Sequence, residues 1–174
     1  KKNPYKLDDI AGLPLLSSTQ DNIDEKPFYN LFKRIFDIIF AILSLIIICP
    51  LIILVSIAIK LNDGGPIFFK QTRIGLNKKP FIIYKFRSMK INSDKYAHCP
   101  ENARDPRITK VGRWVRKLSI DEIPQLINVL KGDMSLVGPR PEMPFIVETY
   151  EAYEKKRLSV IPGITGLWQV SPAR

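Results

Sequence analysis

Asp121 and Glu122 stand side by side in KLSIDEIPQL, residues 117–126. Adjacent carboxylates serve two different ends: they decorate a helix start, where the dipole favours acids, or they form a reactive pair beside something strongly anionic. Ser119 and Glu122 have the S-x-x-E spacing of a capping box. Pro124 opposes that reading, because with Ser119 as cap the proline becomes the fifth helical residue, where its missing N–H should already be bonded. If the helix starts at Pro124 instead, the acids occupy a break between helices, and a break is where a carboxylate can be aimed at a ligand.

Cations surround the pair in sequence. Arg113, Arg116 and Lys117 come just before it, Lys85, Arg87 and Lys90 close a β-rich stretch, and Arg140 lies between Pro139 and Pro141. A guanidinium's planar fork suits phosphate oxygens, and prolines on each side reduce the freedom of the segment that carries it. Each cation also has a plainer reading, as solvated surface or as a contact to anionic headgroups. An acid among several cations suits phosphoryl transfer, in which a carboxylate attacks phosphorus, cations neutralise the oxygens and a divalent metal bridges carboxylate and phosphate.

The elements that must hold these residues follow from pattern. Residues 38–59 form a run of 22 without a charge, long enough for a helix to span a hydrocarbon core of about 30 Å. Pro50 sits near its middle, and positive residues flank both ends: Lys33 and Arg34 before it, Lys60, Lys70, Arg73, Lys78 and Lys79 after it. Positive flanks favour the cytoplasm. A re-entrant helix broken at Cys49 and Pro50 satisfies both flanks, and a single crossing with a proline kink is the alternative. Residues 67–75 and 80–89 read as a hairpin around LNKKP. A loop over 92–109 follows, then an amphipathic helix from Lys110 with Val111, Trp114, Val115 and Leu118 at helical spacing and basic residues between them, suited to a lipid interface. A short helix over 124–130 ends at Gly132, a rigid loop spans 132–144, and a polar helix covers 145–157. The fold class expected is α+β, mostly helical. Its parts are an N-terminal tail or linker (1–27), a re-entrant helix-break-helix (28–63) and a catalytic domain (64–174).

Composition narrows the partners. The chain has 174 residues, 45% of them apolar, and a formal charge of +10. Residues 1–37 carry six charges of each sign, so the whole surplus lies in 38–174 and argues for an anionic partner. Cys49 and Cys99 lie in unlike contexts and suggest no disulfide framework. His98 beside Cys99 has no second Cys/His pair to complete a zinc site. No nucleic-acid motif accompanies the charge, so nucleic acid is not an expected partner.

The ordered set FKRIFDIIFAILSLIIICPLI, GGPIFFKQTRIG, YKFRSM, DPRITKVGRWVRKLSIDEIPQLINVLKGDMSLVGPRP and PGITGLWQV resembles the catalytic domain of the bacterial sugar transferases, the monotopic polyprenol-phosphate phosphoglycosyl transferases, over residues 32–170. The resemblance implies a magnesium-dependent enzyme on the cytoplasmic face of the bacterial inner membrane. Such an enzyme moves a sugar 1-phosphate from a UDP-sugar to polyprenyl phosphate, releasing UMP and beginning a surface glycan such as exopolysaccharide, capsule or O-antigen. It further implies Asp121 as the nucleophile that forms an aspartyl phospho-sugar and contacts magnesium, and Glu122 as its partner, assisting deprotonation of the acceptor. On the resemblance Arg116 and Arg140 become phosphate ligands and the membrane segment becomes re-entrant; Lys85 and Arg87 are phosphate-ligand candidates on residue type alone. The family often has Ser where Cys49 stands, and continues into interfacial helices where this chain reads Pro172-Ala173-Arg174, which suggests a truncated C-terminus. A non-catalytic module binding lipid phosphate or a membrane surface is the competing reading. The sugar and the oligomeric state, homo-oligomer included, stay open.

Overall fold

The computed structural model describes residues 27–94, 96, 100, 102 and 105–166. Residues 1–26 of the expected 1–27 tail, the His98-Cys99 pair and the Trp168-Gln169-Val170 motif lie outside the described residues. The described part is mostly helical, with a small two-stranded antiparallel sheet and one long apolar helix.

That helix, α1, is Pro27–Asp63. Helical structure continues through Pro50 without a gap, so the expected separation into two helices is not present as an interruption of the element. Of its length, Ala41 and Ile59 are 0% and 2% exposed while Ile47 and Leu54 are 76% and 65% exposed. One stripe therefore meets the folded body and a broad apolar surface is left outward.

The hairpin forms as the residue types predict. β1, Phe68–Ile74, pairs antiparallel with β2, Pro80–Phe86, from Phe68 opposite Phe86 to Ile74 opposite Pro80. The loop between them closes through Asn77 and Lys78 at positive φ, a backbone that an asparagine tolerates better than most residues. Alternation along β2 turns Phe81, Ile83 and Lys85 to the same side. Ile83 joins Ala41 of α1 in one buried cluster, together with Leu126, Val129 and Met134. A second cluster joins Val55 and Ile59 of α1 to Phe86 and Val115. Ala41 in the first half of α1 and Val55 and Ile59 near its C-terminal end are thus packed on the same body.

Two helices frame the acidic pair. α2, Lys110–Lys117, starts at Thr109, whose side chain accepts a hydrogen bond from the Gly112 N–H. The apolar residues at helical spacing are not covered alike: Val115 is buried, whereas Trp114 and, just past the helix, Leu118 are 67% and 62% exposed. α3, Gln125–Lys131, ends at Gly132 with φ of 91°, the left-handed terminator that glycine permits.

The segment after Gly132 is more ordered than a loop. β3, Ser135–Val137, runs parallel to β4, Gly163–Thr165, and a parallel pair needs a crossover. The intervening chain supplies it, but not as the one helix expected over 145–157. It is divided into α4, Pro144–Glu148, α5, Ala152–Lys155, and a 3-10 turn, Lys156–Ser159. Between α4 and α5 the chain turns Tyr150 inward, to 7% exposure, and Glu151 restarts the helix in a capping box with Glu154. At the mouth of the pair, a Cβ on Gly163 would stand 2.0 Å from the Gly138 nitrogen. Only two glycines let these strands approach so closely.

Candidate active site

Ser119 answers the question that the S-x-x-E spacing raises. It adopts the left-handed conformation (φ 55°, ψ 21°) and makes no capping hydrogen bond. The capping-box reading therefore fails. Asp121 and Glu122 lie in a single 3-10 turn, Ile120–Glu122, between α2 and α3, and Pro124 stands at the start of α3. The break expected from the proline is present.

The two carboxylates are held differently. Glu122 Oε1 accepts from Lys85 Nζ at 2.9 Å and from Arg140 Nη2 at 2.7 Å. Lys85 arrives from β2 and Arg140 from the segment after β3, so three distant parts of the chain meet at one oxygen. Burial pushes the Glu122 carboxyl up, but the Arg140 hydrogen bond and the Lys85 and Arg140 charges outweigh it and bring it down to about 2. Lys85 moves the other way from what its partner alone would cause: its burial lowers it more than Glu122 raises it. Asp121 takes no hydrogen bond from another side chain among the described residues. Burial raises its carboxyl, with the Lys85 charge pulling it down, Glu122 pushing it up and Arg116 pulling it down in turn. One acid is fully engaged; its neighbour is half-buried, more basic than usual and available.

The expected phosphate ligands divide accordingly. Lys85 and Arg140 are at the pair, and Arg116 is near enough for its charge to act on Asp121. Arg87 is not brought there. It is 7% exposed and ion-paired with Asp63 at the end of α1, and it packs against Gly65. Its place is a joint between α1 and the hairpin.

Sequence reasoning missed Asn128, which is fully buried. Its Oδ1 accepts from the Tyr84 N–H at 3.1 Å and its Nδ2 donates to the Ile82 carbonyl at 2.7 Å. An α3 side chain thereby pairs with the free edge of β2 and fixes Lys85 relative to the acidic turn. The signal was available as an amide inside the apolar run LINVL.

A cleft of about 670 Å³ opens beside Glu122. Phe36, Phe40, Ser44 and Ile48 line one wall at four-residue intervals along α1, and Leu136, Val137 and Ile164 line the other. It is mostly apolar and ends at a charged site.

With this arrangement, the chain belongs to the bacterial sugar transferase family, whose profile matches residues 28–174. Among its relatives is the undecaprenyl-phosphate glucose phosphotransferase of Komagataeibacter xylinus, 47% identical over 150 residues, which cover 82% of this chain and 28% of that protein. The UDP-glucose:undecaprenyl-phosphate glucose-1-phosphate transferase of Escherichia coli (strain K12) is 40% identical over 170 residues, 95% of this chain and 36% of that protein. A UDP-N-acetylgalactosamine-undecaprenyl-phosphate N-acetylgalactosaminephosphotransferase of Aeromonas hydrophila is 44% identical over 147 residues, 83% of this chain and 35% of that protein. The chain spans about a third of the length of these relatives.

Proposed function

We propose that this chain is the catalytic part of a phosphoglycosyl transferase that moves a sugar 1-phosphate from a UDP-sugar to polyprenyl phosphate and so begins a surface glycan. The observation that carries the proposal is the contrast between the two acids: Asp121 is half-buried, raised in basicity and without a side-chain hydrogen bond among the described residues, while Glu122 is pinned by Lys85 and Arg140. A carboxylate in that state is suited to attack phosphorus.

In the first half-reaction an Asp121 oxygen bonds to the sugar-bearing phosphorus of the UDP-sugar. The bond from that phosphorus to the UMP oxygen breaks, and UMP leaves with the electron pair. In the second, an oxygen of polyprenyl phosphate attacks the same phosphorus, the aspartyl bond breaks and the Asp121 carboxylate is restored. Arg140, Lys85 and Arg116 offset the charge on the phosphoryl oxygens.

The family resemblance gives Glu122 the deprotonation of the acceptor. A carboxyl at about 2 is a weak base, and a phosphate monoester with a second pKa of about 6 is already largely dianionic at neutral pH. We therefore assign Glu122 to holding Lys85 and Arg140 in register for the phosphates.

Magnesium suits the site in the mode where one or two carboxylates share the ion with substrate phosphates. Asp121 is the carboxylate on offer, and no group of three or more His, Cys, Asp or Glu side chains among the described residues would form an all-protein cage. When bound, the ion supplies charge neutralisation at the diphosphate.

The acceptor's hydrocarbon chain has a matching surface in the apolar cleft that runs from Glu122 along α1. The re-entrant placement of α1 is supported by its packing. Ala41 and Ile59 are both buried against one body, and a bilayer crossed by the run between them would cut through those contacts. We place the protein on the cytoplasmic face of the bacterial inner membrane, with the exposed Trp114 of α2 and Leu118 just after it at the lipid interface. The relatives differ in the named sugar, so the donor is the quantity to screen. In the presence of magnesium and undecaprenyl phosphate, one UDP-sugar should yield UMP with the full-length protein, and Asp121→Asn should abolish the release.

A further inference from the structure

The segment 139–142 carries Arg140 and contains two prolines, which have no N–H to give. It is held instead through its carbonyls. Pro139 O accepts from the Gly163 N–H at 2.9 Å, Arg140 O from Arg157 Nη2 at 2.8 Å, Pro141 O from Arg73 Nη1 at 3.4 Å and Glu142 O from the Ile74 N–H at 2.9 Å. Four successive carbonyls thus meet donors from β4, the 156–159 turn and β1. The bond from Arg157 is the short one supplied by a charged side chain, and charge-assisted bonds are the stronger kind. It falls on the residue whose own side chain reaches Glu122.

Arg157 is itself fixed. Its Nη1 donates to the Tyr150 hydroxyl at 3.0 Å, and its guanidinium lies 5.6 Å from the centre of the Tyr150 ring. Tyr150 is the buried residue at which the expected 145–157 helix is interrupted. That interruption brings the tyrosine under the arginine.

We propose that Arg157 is a positioning residue for Arg140: braced by Tyr150, it holds the Arg140 carbonyl and thereby sets where the Arg140 guanidinium meets Glu122 and the substrate phosphates. The inference rests on Arg140 acting as a phosphate ligand, as proposed above.

The test uses the full-length protein in lipid nanodiscs with Arg157→Ala, Arg157→Lys and Arg140→Ala, alone and combined. UMP release is measured with undecaprenyl phosphate and UDP-glucose or UDP-N-acetylgalactosamine. Arg157→Ala is expected to cost up to about 10²-fold in kcat, the scale of a misplaced catalytic group, with Arg157→Lys recovering part of it. In the Arg140→Ala background the same change should cost nothing further. An equal loss in both backgrounds, or full activity of Arg157→Ala, overturns the proposal.

A second readout needs no substrate. The Arg140 side-chain Nε–H signal in a ¹⁵N spectrum, assigned by its absence in Arg140→Ala, should move toward that of free arginine in Arg157→Ala. An unmoved signal overturns the proposal even if the wild type releases no UMP, so failure of the assigned reaction and failure of the positioning role are told apart. Should Arg157→Ala not fold, Tyr150→Phe removes only the brace's hydroxyl and must produce a smaller shift of the same signal; no shift there counts against the proposal equally.

Discussion

Arg140 Nη2 stands 2.7 Å from Glu122 Oε1, tying the proline-flanked segment to the acidic turn across 18 residues of sequence. The contact leaves Asp121 as the carboxylate of the pair without a side-chain hydrogen bond among the described residues. Structure and proposed chemistry meet in that division of labour.

Glu122 should limit stability in acid. Its carboxyl is depressed from 4.5 to about 2 in the fold, so its contribution is present above the ordinary value and lost as pH falls toward 2. Glu122→Gln should destabilise the protein by on the order of 2 kcal/mol at neutral pH, the scale of hydrogen bonds to charged groups, and flatten the acid limb. Denaturant melts between pH 2 and 7 in metal-free buffer check this, and an unchanged acid limb would contradict it.

Asp121→Asn should behave in the opposite way. Burial raises the Asp121 carboxyl, so the fold disfavours its charge and the neutral amide relieves that cost. The variant should melt at or above the wild-type temperature while UMP release falls by at least about 10³-fold. A large drop in melting temperature would mean that Asp121 is a structural acid.

Asn128→Ala strands the Tyr84 N–H and the Ile82 carbonyl at the β2 edge. An unsatisfied buried polar group costs about 1–3 kcal/mol, so a loss of about 3 kcal/mol is expected. Thermal or denaturant unfolding reads it, and a loss near zero would show that β2 does not depend on α3.

How much of this could be read from the chain varies with the range of the interaction. The hairpin, the start of α3 near Pro124 and its end at Gly132 were legible because each depends on local backbone chemistry. β3 and β4 were not, since each has three residues and they pair across a crossover. Helical period alone could not divide Val115 from Trp114, because what covers a helix face is decided by tertiary packing. Arg87 is ion-paired with Asp63, a partner 24 residues away that residue type does not reveal. Lys85, Glu122 and Arg140 do meet, but residue type does not say which acid the cations hold, and only the fold shows that it is Glu122.

Both ends of α1 should be reachable from one side of the membrane. With every native cysteine replaced by Ser, Cys49 and Cys99 included, single cysteines at Lys33 and at Asp63 should react with a membrane-impermeant maleimide in inside-out vesicles and resist it in right-side-out ones. Labelling of the two positions from opposite sides would establish a crossing helix instead.

The reaction itself is tested most directly by trapping its intermediate. Full-length protein incubated with magnesium and its UDP-sugar, without polyprenyl phosphate, is quenched, digested and sequenced by mass spectrometry. A phospho-sugar on the Asp121 peptide, absent from Asp121→Asn, is the predicted result. Attachment to any other side chain, or UMP release that proceeds at the wild-type rate in Asp121→Asn, would contradict it.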